Sequence, residues 1–305
     1  MWFEQYTANT SNVEIYYEAV GSGSGIQQFL AQEVNFANTD VPLTDEEIAQ
    51  FPSERCSVLQ IPITGSAIVF AYNLEGINQL QLSREAYCGI VTGEITHWND
   101  PILIANNPNV GLPNLPITFV HRSDNSGTTF IFTTHLAQAC SNWTAKVGRT
   151  IDWVVGDAVP GNLGVTAKIK QTEGAIGYIG FAYAEQGFLP MASLKNKAGF
   201  FIKPSPNAAE RAIDDFPKTD ALVGSFPDPD EVDAYPIIGL TYLLLYENYP
   251  DQATKAALQD LVQWMLQEEG RAIADAMGYT PLSRELTDQV IARVDGLESS
   301  SKGYR

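Results

Sequence analysis

Apolar positions along this chain recur with two different periods, which predict strands and helices in alternation. Short apolar runs and period-two patterns predict strands, and apolar residues three or four apart predict helices. The predicted strands lie at 13–20, 36–43, 58–73, 115–120, 174–180 and 236–246. The predicted helices begin at about 26 and 45 and span 85–91, 128–139, 165–171 and 252–268. This alternation predicts an α/β fold with mainly parallel sheets.

Three predicted connections from a strand to a helix carry hydroxyl groups or charge. They are a Gly-Ser loop at 21–25, a loop at Asp40 and the segment 122–128. In parallel sheets ligands bind beyond the carboxyl ends of the strands, where such connections lie. We therefore expect these three segments to carry the chemistry, and their convergence on one site is a hypothesis that spacing alone does not prove.

The third connection has the composition of a socket for a small tetrahedral oxyanion. A helix N-terminus leaves backbone N–H groups unpaired and carries partial positive charge. Ser126 and Thr128 add hydroxyl donors, Gly127 lets the backbone approach closely, and Arg122 can donate two hydrogen bonds at once. The alternative interpretation is a capped helix after a strand, with Arg122 and Asp124 as a surface ion pair.

The Gly-Ser loop, with Gly21, Ser22 and Gly23 at its start, matches neither common nucleotide-binding pattern. No Gly-Lys-Ser/Thr follows it, and its glycines miss the third position of the dinucleotide fingerprint. The remaining functional interpretation is anion binding through backbone N–H groups and the Ser22 hydroxyl at a helix N-terminus. A flexible loop is the alternative.

Asp40 is the most informative single residue, because a carboxylate in an anion pocket normally repels its ligand. Such a carboxylate is useful only when the ligand has a proton to donate. Protonated phosphate has one near neutral pH and sulfate does not, so one acceptor can select phosphate. Arg122 would supply the countercharge, and Asp124 could hold its guanidinium group in place.

Composition limits the other classes of function. The 305 residues favour two domains, and 36 acidic against 18 basic residues give a net charge of −18. That charge argues against a nucleic-acid partner or an anionic membrane surface. No apolar run reaches the ~20 residues of a spanning helix. The three cysteines, Cys56, Cys88 and Cys140, allow at most one internal disulfide, and the sequence does not say which pair forms it.

Few residues support catalysis or metal binding. The chain has no Gly-x-Ser-x-Gly elbow, no His-Glu-x-x-His and no Cys-x-x-Cys, and each of its three histidines is interpreted as structural or exposed. The acidic run Asp228, Asp230, Glu231 and Asp233 lacks the glycine of a calcium loop and is interpreted as a solvated loop.

Five separated motifs, in order, resemble one known family. They are GSGSGIQQF (21–29), FANTDVPL (36–43), GEITHWNDP (93–101), HRSDNSGTTFIFT (121–133) and GAIGYIGFAYA (174–184). The chain is similar over nearly its whole length to the periplasmic phosphate-binding proteins (PstS family) of the Pst phosphate ABC transporter, cyanobacterial members included. The family resemblance implies a two-lobed type II periplasmic-binding-protein fold, with a hinge between lobes of mixed sheets flanked by helices.

The resemblance also implies roles for particular residues and partners. One lobe would comprise 1–72 and 236–305, and the other 73–235. The phosphate ligands would be Ser22, Asp40, Arg122, Ser126, Gly127 and Thr128, supported by Asp124, Gly21 and Gly23. The protein would be a periplasmic monomer that binds phosphate in the cleft between its lobes and delivers it to ABC permease subunits, with no enzymatic activity, cofactor or metal.

Two other functions stay open at this point. The first is a paralogue that binds another oxyanion, or a phosphate sensor instead of a transporter subunit. The second, more remote, is a phosphatase-type enzyme that uses the same pocket. It lacks a candidate base, a metal site and an activated nucleophile.

The start of the chain departs from the family pattern. Family members open with a signal peptide, a strand and a Gly-Ala-x-x-Thr-Phe-Pro loop that also binds phosphate, whereas this chain begins after that segment without a basic or apolar leader. Either that start is lost or misassigned here, or the chain is a shortened homologue. In a shortened homologue each lost hydrogen bond to phosphate would cost roughly 1.5–3 kcal/mol, so we expect weakened phosphate binding in that case alone.

Overall fold

The structure is a computed structural model that describes residues 2–51, 53–214, 222–225 and 227–299. Within them the helices are α1 (Trp2–Asn9), α2 (Ser22–Leu30), α3 (Asp45–Ala49), α4 (Arg84–Thr92), α5 (Pro101–Asn106), α6 (Gly127–Ala139), α7 (Gly161–Gln171), α8 (Phe181–Gln186), α9 (Pro206–Asp214), α10 (Gln252–Leu266), α11 (Glu268–Ala276) and α12 (Arg284–Asp295).

The strands are β1 (Phe36–Thr39), β2 (Val58–Tyr72), β3 (Gln81–Leu82), β4 (Thr118–Arg122), β5 (Asp157–Val159), β6 (Ala175–Gly180), β7 (Ser193–Lys195), β8 (Phe201–Ile202), β9 (Ile238–Tyr246), β10 (Asn248–Tyr249) and β11 (Glu298–Ser299). Both parallel and antiparallel pairs occur, so the predicted α/β class is confirmed with mixed sheets.

The chain forms two compact units. Unit 1 comprises Met1–Gly65, Lys218–Gly224 and Leu240–Arg305, and unit 2 comprises Ser66–Pro217 and Ser225–Gly239. The lobe boundaries expected from the family, at 72/73 and 235/236, stay a prediction.

In unit 1 the sheet order is β1, β9 and the first part of β2. β1 and β9 are antiparallel, with Phe36 opposite Leu245 and Thr39 opposite Tyr242. The rings of Phe29 and Tyr246 stack at 4.3 Å in the core, and the Tyr246 hydroxyl donates a hydrogen bond to the Phe29 carbonyl. This contact fixes α2 against the sheet.

In unit 2 the second part of β2 is antiparallel to β6, and β6, β4 and β5 are parallel neighbours. Gly177 allows β6 to pack closely on its surroundings, since a Cβ there would lie 2.6 Å from the Val120 carbonyl oxygen. The Phe132 and Tyr178 rings stack at 4.2 Å, which packs α6 onto β6.

The strand predicted at 13–20 is wrong. A strand needs hydrogen bonds from a neighbouring strand, and no strand within the described residues pairs with this segment. Tyr16 is 88% exposed, and the Tyr17 ring packs on Phe3 at 4.8 Å instead. The alternating pattern is present here without a sheet to pair with.

Several element boundaries also differ from the predictions: the strand predicted at 36–43 ends at Thr39, and the helix predicted at 165–171 begins at Gly161. The fourth strand spans Thr118–Arg122 instead of 115–120, so Arg122 ends the strand and does not lie in the loop. Pro116 lacks the N–H that a ladder needs, which accounts for the later start. The helix predicted at 252–268 ends at Leu266, and a separate helix follows from Glu268.

Candidate functional site

The N-terminus of α6 collects the unit 2 candidates. Ser126 is the N-cap residue, and its Oγ accepts a hydrogen bond from the Thr129 N–H at 3.2 Å. Gly127 and Thr128 form the first turn of the helix and are buried, and that turn contains no acidic residue. Backbone N–H groups of a first turn have no acceptor within their own helix, so this end can receive an anion.

Arg122 lies at the end of β4, with its side chain buried against Asp124. Its Nε donates to Asp124 Oδ1 at 2.7 Å, its second terminal nitrogen donates to Oδ2, and Nη1 donates to Thr128 Oγ1 at 3.4 Å. The guanidinium group is therefore held from two sides. The predicted tethering contact between Arg122 and Asp124 is present, and it is partly buried, unlike a surface ion pair.

Asp124 stays ionised in this setting. Burial by itself raises the pKa of Asp124, but hydrogen bonds from Arg122 and from the Gly161 N–H, together with the arginine charge, outweigh it and leave the pKa below its ordinary value. An ionised Asp124 keeps Arg122 in one orientation.

Tyr178, which sequence reasoning missed, links the two ends of this segment. Its hydroxyl accepts a hydrogen bond from the Arg122 N–H at 3.2 Å and forms a hydrogen bond with the Thr129 hydroxyl, Oγ1, at 2.7 Å. Burial raises the pKa of Tyr178 to about 12, so the hydroxyl is neutral. A polar group in a buried strand must find partners, and that rule was the signal available in the sequence.

In unit 1, α2 begins directly at Ser22, so residues 22–25 are the first turn of a helix and not the loop that was predicted. Gly21 precedes it with a φ of 83°, a left-handed conformation that favours glycine. Gly23 lies buried within that turn. A Cβ on Gly25 would lie 3.3 Å from the Asn38 carbonyl oxygen, so glycine also allows α2 to approach β1.

The structure brings Ser22 and Asp40 together. The Asp40 N–H donates a hydrogen bond to Ser22 Oγ at 3.2 Å, and Asp40 directly follows the end of β1. Thr241, on the neighbouring strand β9, donates from Oγ1 to Asp40 Oδ1 at 2.7 Å. Thr241 was also missed, because it lies inside an apolar run that predicts a buried strand.

The six predicted ligand residues thus form two groups. Unit 1 holds Ser22 and Asp40 in contact, and unit 2 holds Arg122, Ser126, Gly127 and Thr128 within one strand-to-helix segment. Each group contains hydroxyl donors, and the two differ in charge: one has a carboxylate and the other an arginine. Their roles toward a ligand stay predictions.

The histidines lie in structural surroundings. His97 is exposed, His121 stacks on Trp153 at 5.2 Å, and His135 is buried with Nε2 3.0 Å from the Tyr87 hydroxyl. Burial lowers the pKa of His135 to about 4 and lowers that of His121 as well. Over the part of the chain that the structure describes, no cluster of His, Cys, Asp and Glu could hold a metal ion.

Two further sequence interpretations are now decided. Asp228 was predicted to lie in a solvated acidic loop, which is wrong for this residue: it is buried and accepts two hydrogen bonds from Arg84, at 2.8 and 2.5 Å. Cys88 and Cys140 form the disulfide, and Cys56 is an exposed free thiol.

No helix among the described residues combines the length and apolar character needed to cross a bilayer.

Comparisons with known proteins agree on one family. Residues 1–269 match the model of the PBP superfamily domain. The phosphate-binding protein PstS of Pasteurella multocida (strain Pm70) is 33% identical over 308 residues, which cover 99% of this chain and 88% of that protein. The phosphate-binding protein PstS of Methanocaldococcus jannaschii is 34% identical over 315 residues, covering 93% of this chain and 79% of the relative.

Solved structures share the fold. The high-affinity periplasmic phosphate-binding protein PfluDING, solved with bound phosphate, superposes with a TM-score of 0.80 at 23% identity, covering 95% of this chain and 90% of that one. A phosphate-binding protein from Stenotrophomonas maltophilia superposes with a TM-score of 0.75 at 22% identity, with the same coverage. The predicted periplasmic-binding-protein fold is confirmed.

Proposed function

This chain belongs to the PstS phosphate-binding proteins of the PBP superfamily, and from that membership we propose that it binds inorganic phosphate and delivers it to an ABC importer. The observation that carries the proposal is the buried Arg122, held by Asp124 beside the N-terminus of α6. A fixed guanidinium group next to unpaired backbone donors suits a small oxyanion such as phosphate.

The unit 2 group supplies the attraction. Arg122 provides the positive charge, the Gly127 and Thr128 N–H groups point along the dipole of α6, and the hydroxyls of Ser126 and Thr128 are further donors. Contacts within the protein, from Asp124 and Tyr178, position these groups. Little ordering is then required on binding, which favours high affinity.

The unit 1 group supplies the selectivity. An ionised Asp40 can only accept hydrogen bonds, so it stabilises an oxyanion that carries a proton and repels one that does not. Ser22 Oγ accepts from the Asp40 N–H, so its own proton can be donated to a ligand oxygen. Together the two groups would bind protonated phosphate and reject sulfate.

We assign no covalent chemistry to this protein. The relatives are described as phosphate-binding proteins, and His121 and His135 are buried among structural contacts, whereas His97 is exposed. The expectation is checked by incubation with a generic phosphate ester. Release of phosphate above the rate of a heat-denatured sample would contradict it.

Calorimetric titration with phosphate and with sulfate tests the proposal directly. We expect tight binding of phosphate and no measurable heat with sulfate under the same conditions. Absence of phosphate binding by a folded sample would overturn the proposed function.

The Asp40→Asn variant tests the proton-acceptor role. Asparagine can donate a hydrogen bond to a fully deprotonated oxyanion, so the variant should lose discrimination against sulfate while the fold is retained. Asp45→Asn is the matched control, since Asp45 is an exposed residue of unit 1 at the start of α3. Equal selectivity in both variants would refute this role for Asp40.

A double-mutant cycle tests whether both groups bind the same ion. We expect Asp40→Asn and Arg122→Lys to be non-additive in their effects on phosphate affinity, because residues that share one ligand are energetically coupled. Strict additivity would mean that the two groups act independently.

Delivery to permease subunits and a periplasmic location are part of the proposal. The chain shares its fold with a protein described as periplasmic, and the Cys88–Cys140 disulfide suits an oxidising compartment. We also propose that the protein acts as a monomer, which gel filtration with and without phosphate checks. Restoration of phosphate uptake in cells that lack their own phosphate receptor checks the transport role, and a binding-competent protein without uptake would indicate a sensor.

A further inference from the structure

Thr241 stands out because a half-buried hydroxyl on an apolar strand is aimed at the carboxylate that we assign to ligand selection. Thr241 Oγ1 donates to Asp40 Oδ1 at 2.7 Å, which is the ordinary length of a good O–H···O bond. The rest of β9 is apolar apart from Tyr242 and Tyr246. The hydroxyl therefore has a specific partner and is not a solvent-facing polar residue on an exposed edge.

The register of the sheet sets this contact. β1 and β9 pair antiparallel with Phe36 opposite Leu245 and Thr39 opposite Tyr242. Continuing that register by one residue places Asp40 opposite Thr241. Directly opposed residues of an antiparallel pair have neighbouring side chains on the same face. The sheet thus brings the two side chains together although 201 positions separate them in the sequence.

The described elements next to Asp40 carry neutral side chains: α2, β1 and β9 contain no Lys, Arg, Asp or Glu. Tyr242 also neighbours Asp40, and its pKa is raised to about 12 by burial and, in smaller part, by Asp40, so its hydroxyl is neutral. A hydrogen bond from a neutral hydroxyl favours the ionised form of a carboxylate and restricts its rotation.

We propose that Thr241 is a specificity-determining residue, whose hydroxyl orients Asp40 and keeps it an acceptor, so that protonated phosphate is bound and sulfate is rejected. The inference rests on the proposed function and deepens it. Thr241 is a positioning residue: it acts through Asp40. Loss of the Thr241 hydroxyl should therefore change the ratio of phosphate affinity to sulfate affinity, whereas a general structural defect would lower the affinity for both ions by the same factor.

The experiment measures apparent phosphate affinity by calorimetry with and without a large excess of sulfate. Thr241→Val replaces the hydroxyl by a methyl group of similar size, and Thr241→Ala removes the hydroxyl together with side-chain volume, so one variant remains informative if the other fails to fold. Thr241→Ser keeps the hydroxyl. Thr64→Val is the matched control, because Thr64 is a buried threonine of β2 that donates to the Thr280 carbonyl and not to Asp40.

We expect the selectivity ratio to fall by about tenfold or more in Thr241→Val and Thr241→Ala, the scale of one hydrogen bond to a charged group. Thr241→Ser and Thr64→Val should keep the wild-type ratio. An unchanged ratio in the two hydroxyl-free variants, or an equal fall in Thr64→Val, would overturn the proposal. A wild-type chain that fails to bind phosphate would refute the proposed function and this inference together, and only that result affects both.

Discussion

At the scale of single residues, the candidate site depends on hydrogen bonds that hold charged groups in place. Arg122 is held by Asp124, and Asp40 by Thr241. Each charged side chain keeps one orientation because its partner is itself held: Thr241 lies in β9, and Asp124 also accepts a hydrogen bond from the Gly161 N–H. Positioning of this kind reduces the ordering that a ligand must otherwise impose, so residues that never touch the ion can still affect affinity.

The Tyr178→Phe variant tests whether a residue that does not touch the ion can affect affinity in the unit 2 group. Loss of the Tyr178 hydroxyl removes its hydrogen bonds with the Arg122 N–H and the Thr129 hydroxyl, while the phenylalanine ring can still stack on Phe132. We expect phosphate affinity to fall about tenfold, on the scale of one to two hydrogen bonds, as measured by calorimetry.

Tyr72→Phe is the control for that substitution. The Tyr72 hydroxyl is buried in unit 2 and has no hydrogen-bond partner among the described residues. Its removal should leave phosphate affinity unchanged and should not lower stability. Equal affinities in the two tyrosine variants would show that the Tyr178 hydroxyl does not position the segment.

At the scale of elements, α6 is anchored at both ends. Its N-terminus carries the Ser126 cap and the contacts with Arg122 and Tyr178, and its C-cap residue Cys140 is bonded to Cys88 in α4. Between these ends His135 meets the Tyr87 hydroxyl of α4. The helix that presents the anion-binding end is therefore fixed to its neighbour along its length.

His135 predicts a pH dependence of stability. Burial lowers its pKa to about 4 in the folded state, against about 6.5 in the unfolded chain. The unfolded state therefore binds a proton first as the pH falls, and the stability present above pH ~6.5 is lost progressively down to about 4. The loss from this group is on the order of 3 kcal/mol.

Urea unfolding at about pH 7 and about pH 5 measures roughly 2 kcal/mol of that loss, because pH 5 lies above the folded pKa of His135. His135→Gln can still bond Tyr87 and does not titrate, so the difference between the two pH values should be smaller in this variant than in the wild type. Part of the dependence should remain, because His121 also has a lowered pKa. The same pH difference in both proteins would contradict the assignment to His135.

The Cys88–Cys140 disulfide should act on stability and not on binding. It closes a loop across a sequence separation of 52 residues, which corresponds to about 4 kcal/mol in the chain-entropy model. We expect the Cys88→Ala/Cys140→Ala protein to lose a large part of that in urea unfolding. Its phosphate affinity should stay close to that of the wild type, since the bond lies about 20 Å along α6 from its N-terminus.

At the scale of the whole molecule, the proposed anion-binding site lies in a chain of net charge −18. The donors around Arg122 that we propose to bind the ion would act at short range, whereas the overall field opposes its approach. Affinity and association rate are therefore governed by different parts of the protein: the rate depends on charges far from the site, which salt can screen.

We predict that the association rate of phosphate rises when NaCl is increased from about 10 mM to about 150 mM, because the Debye length shortens from roughly 30 to 8 Å. Stopped-flow measurement of intrinsic tryptophan fluorescence can follow the association of phosphate, since Trp153 stacks on His121, the neighbour of Arg122 in the sequence. A rate that falls with salt would mean that the local positive field dominates the approach.

The sequence by itself determined the local parts of this protein, and the tertiary structure decided the rest. Helix starts at Ser126 and Thr44 follow from cap residues and periodicity, which act within a few positions of the chain. The partners of the functional groups cannot be predicted in this way. Tyr178 lies 56 positions from Arg122, and Thr241 lies 201 positions from Asp40. Such contacts depend on sheet register and burial. The tertiary structure likewise determined that Cys88 pairs with Cys140, that Asp228 is buried and that residues 13–20 have no partner strand among the described residues.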